Sequence, residues 1–236
     1  MQVERFLQSQ GFGTRRACRL LARAGRVSVN GLPLDDPERE IALKEGEFFT
    51  VDGATWPYYE RALILLNKPA GYECSNTPRH HPGVHTLLPP QFLARGLQCV
   101  GRLDVETTGL LLLTDDGNLQ HRLISPKAGV RKCYRMTLDR PLEESARQKL
   151  LAGVTLRDDP APAVALSLIA DKNNPCVYCM TLAEGRYHQA RRMAAAVGCH
   201  VEALCRVAIG GLTLPPDLPE GGWRWLGEAE RATLFD

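Results

Sequence analysis

The sequence predicts an α+β fold, in which a small N-terminal domain precedes a larger domain built on a β-sheet with flanking helices. Two apolar runs that end at turn residues, ALILLNKPAGY (62–72) and LLLLTDDGN (110–118), are typical of buried strands. The predicted helices are too few and too irregularly spaced for a βαβ repeat. With 44% hydrophobic residues, the 236-residue chain can bury a substantial core.

The N-terminal segment is predicted to form two helices followed by a β-hairpin. Thr14 is a suitable N-cap for the second helix, and Gly25 suits the position just past its end. Asn30-Gly31 stands between two short apolar runs, which is the strongest short-range signal for a hairpin. The spacing of one helix face predicts a buried stripe made of Ala17, Leu20, Leu21 and Ala24.

Charge is arranged in blocks, so the formal net charge of +2 does not describe the surface. The net charge is +5 over residues 1–31, −6 over residues 35–60 and +5 over residues 121–135. The first block is almost free of acids, whereas a merely solvated helix face mixes charges of both signs. We therefore predict that its arginines contact nucleic-acid phosphates. These arginines are Arg5, Arg15, Arg16, Arg19, Arg23 and Arg26.

The run ERFLQSQGFGTRRACRLLARAGRVSVNG (4–31) resembles the small RNA-binding domain called S-four-like, after a ribosomal protein of the small subunit. This resemblance covers about the first quarter of the chain and implies binding to structured RNA. The domain boundary is expected near TWPYYER (55–61), where the acidic block gives way to an apolar strand. We therefore predict an S-four-like domain at residues 1–57 and a second domain at residues 58–236.

Composition excludes a disordered or fibrous protein, and no apolar run approaches the roughly 20 residues that span a bilayer. The N-terminus lacks the apolar region of a signal peptide, so we expect a soluble cytoplasmic protein with no membrane partner. The eight cysteines are expected to be reduced and to pack as small apolar residues. Cys176 and Cys179 have ligand-like spacing, but no second pair follows, and we predict no metal site.

The second domain is predicted to contain two further helices and a further strand. The helices are PLEESARQKLLAG (141–153), which ends in a glycine stop, and RYHQARRMAAAVG (186–198). PCVYCMTL (175–182) is predicted to be a strand, and the Pro- and His-rich TPRHHPGVHTLLPPQF (77–92) is predicted to be a loop.

Three clusters of polar residues are candidates for chemistry. GRLDVETTG (101–109) places one carboxylate, Asp104, in a turn before a strand, where it could be a nucleophile, a general base, a metal ligand or a cap. EGRYHQARRM (184–193) opens a helix with residues able to contact phosphates and bases. KCY (132–134) lies at a strand start, where Tyr134 could simply pack. None of these clusters identifies a function by itself.

Taken in order, LNKPAGY, GRLDVETTGLLLLTDDG, KCY and EGRYHQARRM resemble the motifs of bacterial ribosomal RNA pseudouridine synthases, and the likeness spans essentially the whole chain. Ser125-Pro126-Lys127 and PAPAVAL (160–166) are most similar to the ribosomal small subunit pseudouridine synthase A group. The resemblance implies an isomerase that converts a uridine of 16S rRNA to pseudouridine. It also implies a catalytic domain with a mixed, mainly antiparallel sheet.

The resemblance assigns roles to individual residues. Asp104 matches the essential aspartate, Tyr134 the tyrosine that stacks on the target base, and Arg191 the arginine that pairs with the aspartate. Arg102 matches a residue that fills the gap left by the flipped nucleotide. The remaining substrate-binding candidates, which should shape the pocket, are Asn67, Lys68, Arg186, His188 and Gln189.

The implied reaction transfers no electrons and imports no group, so we expect neither cofactor nor metal. The expected partner is ribosomal RNA, with 16S rRNA favoured, or the assembling small subunit, and we expect the protein to act as a monomer. A synthase of the same family that modifies 23S rRNA and a non-catalytic RNA-binding assembly factor are the alternatives. A two-carboxylate glycosidase using Asp104 and Glu106 is not favoured, since residues two apart on a turn need not face one site.

Overall fold

The computed structural model describes residues 1–157, 159 and 161–236, so that Pro160 of PAPAVAL lies outside the described residues. The chain divides into two compact units. One comprises Met1–Ala62, His85–Gln98 and Thr114–Asp116; the other comprises Leu63–Val84, Cys99–Leu113 and Gly117–Asp236. The boundary at residues 57/58 stays a prediction. No helix among the described residues has the length and apolar character needed to cross a membrane.

The first unit contains a small antiparallel sheet and three helices. Its strands pair in the order β2-β1-β3-β4. Asn30 and Gly31 connect β1 to β2 with positive φ angles of 51° and 77°, as the predicted two-residue hairpin requires. The elements are α1 (Val3–Ser9), α2 (Arg15–Arg23), β1 (Val27–Val29), β2 (Leu32–Pro33), β3 (Phe48–Val51), β4 (Ala54–Pro57) and α3 (Pro90–Arg95).

Helix α2 begins and ends as predicted, but it buries a different face. The Thr14 hydroxyl accepts a hydrogen bond from the Ala17 amide at 3.3 Å, and Gly25 follows the helix with φ 66°. Cys18 and Ala22 are the buried residues, whereas Leu20 is 59% exposed. The predicted stripe was wrong for Leu20 and Ala24, which are exposed, while Leu21 does pack against the core. The helix is rotated because α1 contributes large core side chains, and small residues of α2 pack against them.

The second unit contains a larger mixed sheet. Its main path runs β13-β5-β7-β11-β8-β10-β9, with β7 and β11 parallel and the registered neighbours β11/β8, β8/β10, β10/β9 and β5/β13 antiparallel. Its strands are β5 (Leu63–Lys68), β6 (Gln98–Cys99), β7 (Thr108–Thr114), β8 (Lys132–Leu138), β9 (Ser167–Ala170), β10 (Val177–Leu182), β11 (Val201–Ile209), β12 (Leu212–Thr213) and β13 (Trp223–Trp225).

Helices of the second unit cover buried parts of this sheet. They are α4 (Gly117–Ile124), α5 (Glu144–Ala152) and α6 (Gln189–Ala196), whereas the short α7 (Glu228–Ala232) has no buried residue. One apolar cluster joins α5 and α6 to β8, β10 and β11, and another joins α4 to β5 and β7. The strands predicted from the apolar runs and both predicted helices are present. The segment 77–92 is not entirely a loop, since a short 3-10 helix (Val84–Leu87) and the start of α3 interrupt it.

Gly109 allows β7 and β11 to approach closely, and its replacement should be costly. Its φ is 98°, and a Cβ atom there would overlap the Arg206 carbonyl oxygen and lie 2.7 Å from the Cys205 sulfur. Gly109→Ala is expected to reduce the free energy of unfolding by about 2 to 4 kcal/mol, measured by urea denaturation. Gly117→Ala is the matched control, because a Cβ there meets no atom within 4 Å. Equal stability of the two variants would contradict this explanation.

Candidate active site

A cleft in the second unit brings together parts of three sequence motifs that are far apart in the chain. The space that it encloses is about 450 Å³, part of it open to solvent. The turn before β7, the strand β8 and the turn before α6 supply its walls. The polar residues that line it are Arg102, Asp104, Thr107, Tyr134, Glu184, Arg186, His188 and Gln189.

Asp104 stands at the start of a tight turn that Lys68 holds from behind. The Thr107 amide donates to the Asp104 carbonyl at 3.0 Å and closes the turn. The fully buried Lys68 ammonium donates to the carbonyls of Pro69 (3.0 Å), Asp104 (3.2 Å), Val105 (3.0 Å) and Thr107 (2.9 Å). Burial lowers the pKa of Lys68. Lys68 therefore orients the backbone that carries Asp104 and does not itself line the cleft.

The Asp104 carboxylate lies beside His188. The His188 Nε2 atom is 3.3 Å from Asp104 Oδ1, and the two side chains are 38% and 37% exposed. His188 immediately precedes α6 with a left-handed backbone (φ 47°), which turns its side chain toward the cleft. The exposed Tyr187 ring stacks on the His188 imidazole at 3.9 Å. The carboxylate thus has a defined neighbour and remains accessible to a ligand.

Gln189 holds the turn that leads into α6. This buried side chain accepts a hydrogen bond from the Arg186 amide at 2.9 Å and donates to Glu184 Oε1 at 2.9 Å. The predicted role of Gln189 in shaping the pocket therefore has a physical basis, because its two hydrogen bonds fix the backbone beside the cleft. Because His188 is part of this turn, the same hydrogen bonds determine its position.

Arg191 is not where the predicted ion pair requires it. Its guanidinium donates to the Val201 carbonyl at 2.9 Å, and it lines a different cavity together with Glu106. The expected Arg191–Asp104 pair is therefore absent, and Asp104 pairs with His188 instead. The reason is helical geometry: Arg191 is two residues into α6, so it projects about 200° from Gln189, which faces the cleft.

The other predicted substrate-binding residues divide between the cleft and the scaffold. Arg102 is exposed and lines the cleft. Arg186 also lines it, but its guanidinium contacts Glu184 Oε1 at 3.0 Å and the Pro162 carbonyl at 3.2 Å. Asn67 does not line the cleft, since its amide donates to the Leu218 carbonyl at 2.8 Å. Asn67 is buried beside β13, so its polar group serves the backbone there.

Sequence reasoning assigned no role to two cations near Tyr134. Tyr134 is half-buried on β8 and lines the cleft. Arg206, directly opposite on β11, is 3% exposed, and Lys132 is two residues before Tyr134 on the same strand. The available signal was the placement of Arg206 inside the apolar run VEALCRVAIGG (201–211), where a charge is unusual.

A thiol pair lies behind the turn that carries Asp104. The Cys74 sulfur accepts a hydrogen bond from the Leu103 amide at 3.4 Å. A hydrogen bond with Cys99, together with this amide and the Lys68 charge, lowers the pKa of Cys74 to about 7, while the same pairing raises that of Cys99. In the described part of the chain, no group of three or more His, Cys, Asp or Glu side chains is placed to hold a metal ion.

The N-terminal arginines fall into two groups. Arg19 donates to the nearly buried Glu4 at 2.7 Å, and Arg15 is 3.7 Å from the same carboxylate. The hydrogen bond from Arg19 lowers the pKa of Glu4, and Arg26 pairs with Asp52. The second group is exposed and has no ion pair with any described residue: Arg5, Arg16 and Arg23.

Comparison with known proteins matches both the sequence and the architecture. The family model for RNA pseudouridylate synthase matches residues 62–196. The ribosomal small subunit pseudouridine synthase A of Escherichia coli (strain K12) is 37% identical over 243 residues, covering 99% of this chain and 100% of that protein. Its Haemophilus influenzae counterpart is 36% identical over 98% of this chain and 97% of that protein. A crystal structure of a pseudouridylate synthase superposes with a TM-score of 0.68 at 33% identity, covering 99% of both chains.

Proposed function

The chain belongs to the RNA pseudouridylate synthase family, and from this membership we propose that it isomerises one specific uridine of 16S rRNA to pseudouridine. Similarity over full length to ribosomal small subunit pseudouridine synthase A supports the 16S substrate. The observation that carries the proposal is the Asp104 carboxylate, which is accessible in a cleft beside Tyr134 and His188, whereas Glu184, the other acid of the cleft, is held by Arg186 and Gln189. An rRNA substrate would place the reaction in the cytoplasm.

The proposed reaction rearranges bonds within one nucleotide. The bond between ribose C1′ and uracil N1 breaks, the uracil turns, and a bond forms between C1′ and C5. The proton on C5 leaves and N1 gains a proton, so atoms and electrons balance without a cofactor. Positive charge develops on the ribose as the glycosidic bond breaks, and a carboxylate placed there stabilises it.

Asp104 is the proposed essential group, attacking the sugar or the base or stabilising the ribose charge. Lys68 fixes its turn, His188 contacts its oxygen, and Tyr134 supplies a ring beside the cleft on which uracil can stack. A uridine in a paired region must first leave its stack, which costs a few kcal/mol. Arg102 is exposed and lines the cleft, which supports the role proposed for it in filling the resulting gap.

The exposed arginines of the first unit are proposed to contact RNA phosphates. Arg16→Gln combined with Arg23→Gln should lower the slope of log affinity against log salt by about 1.4 to 1.8, because each phosphate contact contributes about 0.7 to 0.9. Lys149→Gln is the control, since Lys149 is exposed on α5. Filter binding of 16S rRNA across a salt series measures the effect. An unchanged slope in the double variant would show that these two arginines do not contact RNA phosphates.

The test of the proposed function is a map of pseudouridine in both large rRNAs. Cells with and without this protein, and cells that carry Asp104→Asn, are compared position by position. Loss of one 16S pseudouridine, restored by the wild-type protein but not by the variant, supports the proposal. Loss of a 23S site would replace the 16S substrate with the 23S alternative. An unchanged map in both rRNAs would overturn the function in these cells.

A further inference from the structure

A second cavity adjoins the catalytic cleft and is lined by cations without any acid. Its volume is about 520 Å³, and it shares Arg102, Tyr134 and Gly185 with the cleft. Lys132 and Arg206 complete its charged lining. The rest of the wall is apolar and consists of Val100, Leu123, Ile124 and Ile209, with Gly101 between. A wall with three cations and no carboxylate is suited to an anion.

The strand register places two of these cations at the level of Tyr134. Lys132 and Tyr134 are two residues apart on β8, so their side chains leave the same face of the sheet. Arg206 pairs directly with Tyr134 across β11 and therefore faces the same way. A group bound by Lys132 and Arg206 would consequently lie next to the tyrosine proposed to hold the target base.

Arg206 has a donor that the protein leaves unused. Only 3% of the residue is exposed, and its Nε atom donates to the Leu110 carbonyl at 2.8 Å. Its Nη2 atom is buried and has no hydrogen-bond partner among the described residues. Buried charged donors are normally paired, because an unpaired one loses its hydration without compensation. The unpaired Nη2 atom of Arg206 therefore indicates that a ligand binds there.

Lys132 adds a second, half-buried positive charge to the same wall. Burial and the charge of Arg206 both lower the pKa of Lys132. Two cations in one cavity repel each other, and an anion between them would relieve that repulsion. A guanidinium edge beside an ammonium is an arrangement that suits phosphate oxygens.

We propose that this cavity binds a phosphodiester group of the substrate RNA, adjacent in the strand to the uridine in the cleft. The inference rests on the proposed function, since it takes the RNA strand to pass from one cavity to the next. A nucleotide that enters the cleft brings its own flanking phosphates with it, and the shared wall places this cavity within their reach. The contact would make flipping of the target base depend on how the RNA strand is positioned in the site.

The experiment uses short RNA substrates around the mapped uridine, each with one neighbouring phosphate replaced by an uncharged methylphosphonate. In the wild type, one such replacement should lower kcat/KM by about tenfold or more. In Lys132→Met and in Lys132→Gln, the same replacement should cause no further loss. Lys132→Arg, which keeps the charge, should remain sensitive to it. Lys172→Met is the control, since Lys172 is exposed between β9 and β10, and should show the wild-type pattern.

Two results would overturn the inference. One is that no methylphosphonate replacement lowers kcat/KM in the wild type. The other is that the replacement lowers kcat/KM in the Lys132→Met and Lys132→Gln variants by the same factor as in Lys172→Met. Failure of the proposed function looks different, because the wild type would then form no pseudouridine in the unmodified RNA. Circular dichroism of each variant keeps a folding defect separate from a lost contact.

Discussion

Asp104→Asn is expected to abolish pseudouridine formation, with a loss of at least about 10⁴-fold in kcat, because removal of the essential group of a catalytic unit has effects of that size. The substitution keeps the shape of the side chain and removes its negative charge. RNA affinity should stay within about twofold, since the Asp104 carboxylate is one group in a binding surface dominated by cations. Release of tritium from C5-tritiated uridine in 16S rRNA measures turnover, and filter binding measures affinity.

Glu106→Gln is the matched control for this prediction. Glu106 is two residues from Asp104, but it is exposed and lines a different cavity, so the two carboxylates do not share one site. Its replacement should leave turnover within a few-fold of the wild type. If Asp104→Asn retained near wild-type turnover, the proposed mechanism would be wrong. If Glu106→Gln were equally inactive, a two-carboxylate mechanism would have to be considered.

Lys68→Met should both destabilise the protein and slow the reaction. Methionine fills a similar volume but leaves the carbonyls of Asp104, Val105 and Thr107 without their buried donor. The Asp104 and Val105 carbonyls keep their amide donors, Thr107 and Gly71. Because a hydrogen bond to a charged group contributes about 1.5 to 3 kcal/mol, the free energy of unfolding should fall by about 2 to 3 kcal/mol. The turn would also lose its anchor, and a displacement of about 1 Å at a catalytic group can cost about 100-fold in rate.

A positioning role for Lys68 predicts an effect on kcat that general destabilisation does not. At a temperature where the Lys68→Met variant is folded, kcat should fall about 100-fold while KM for RNA changes little. Lys172→Met, an exposed lysine, should change stability by no more than about 0.5 kcal/mol. A stable and fully active Lys68→Met protein would show that the turn holds its shape without the ammonium.

The elements that local patterns determine were predicted well. The two apolar runs form β5 and β7, the Asn30-Gly31 pair forms its hairpin turn, and glycine follows α2 and α5. Each of these signals acts over a few neighbouring residues, so the rest of the chain was not needed to interpret it. The buried face of α2 was wrong, because it depends on where α1 lies and on the size of the α1 side chains.

In the site, too, the motifs identified the residues, but their contacts depended on the three-dimensional structure. The motifs identified Asp104, Tyr134, His188 and Gln189, and the structure places all four around one cleft. The Arg191 pairing was wrong because a helix turns about 100° per residue, which directs Arg191 to the Val201 carbonyl. Asn67 and Lys68 were expected to shape the pocket, but one serves the backbone near β13 and the other holds the turn of Asp104.

By itself the sequence determined the family, the order of the motifs, and the main strands and helices, and it singled out Asp104 as the candidate carboxylate. These properties depend on residue type and on spacing along the chain. Only the tertiary structure decided that His188 faces Asp104, that Lys68 anchors its turn, and that Arg206 lies opposite Tyr134 with an unused donor. Such pairings depend on strand register and helix rotation, which are set by packing between segments distant in sequence.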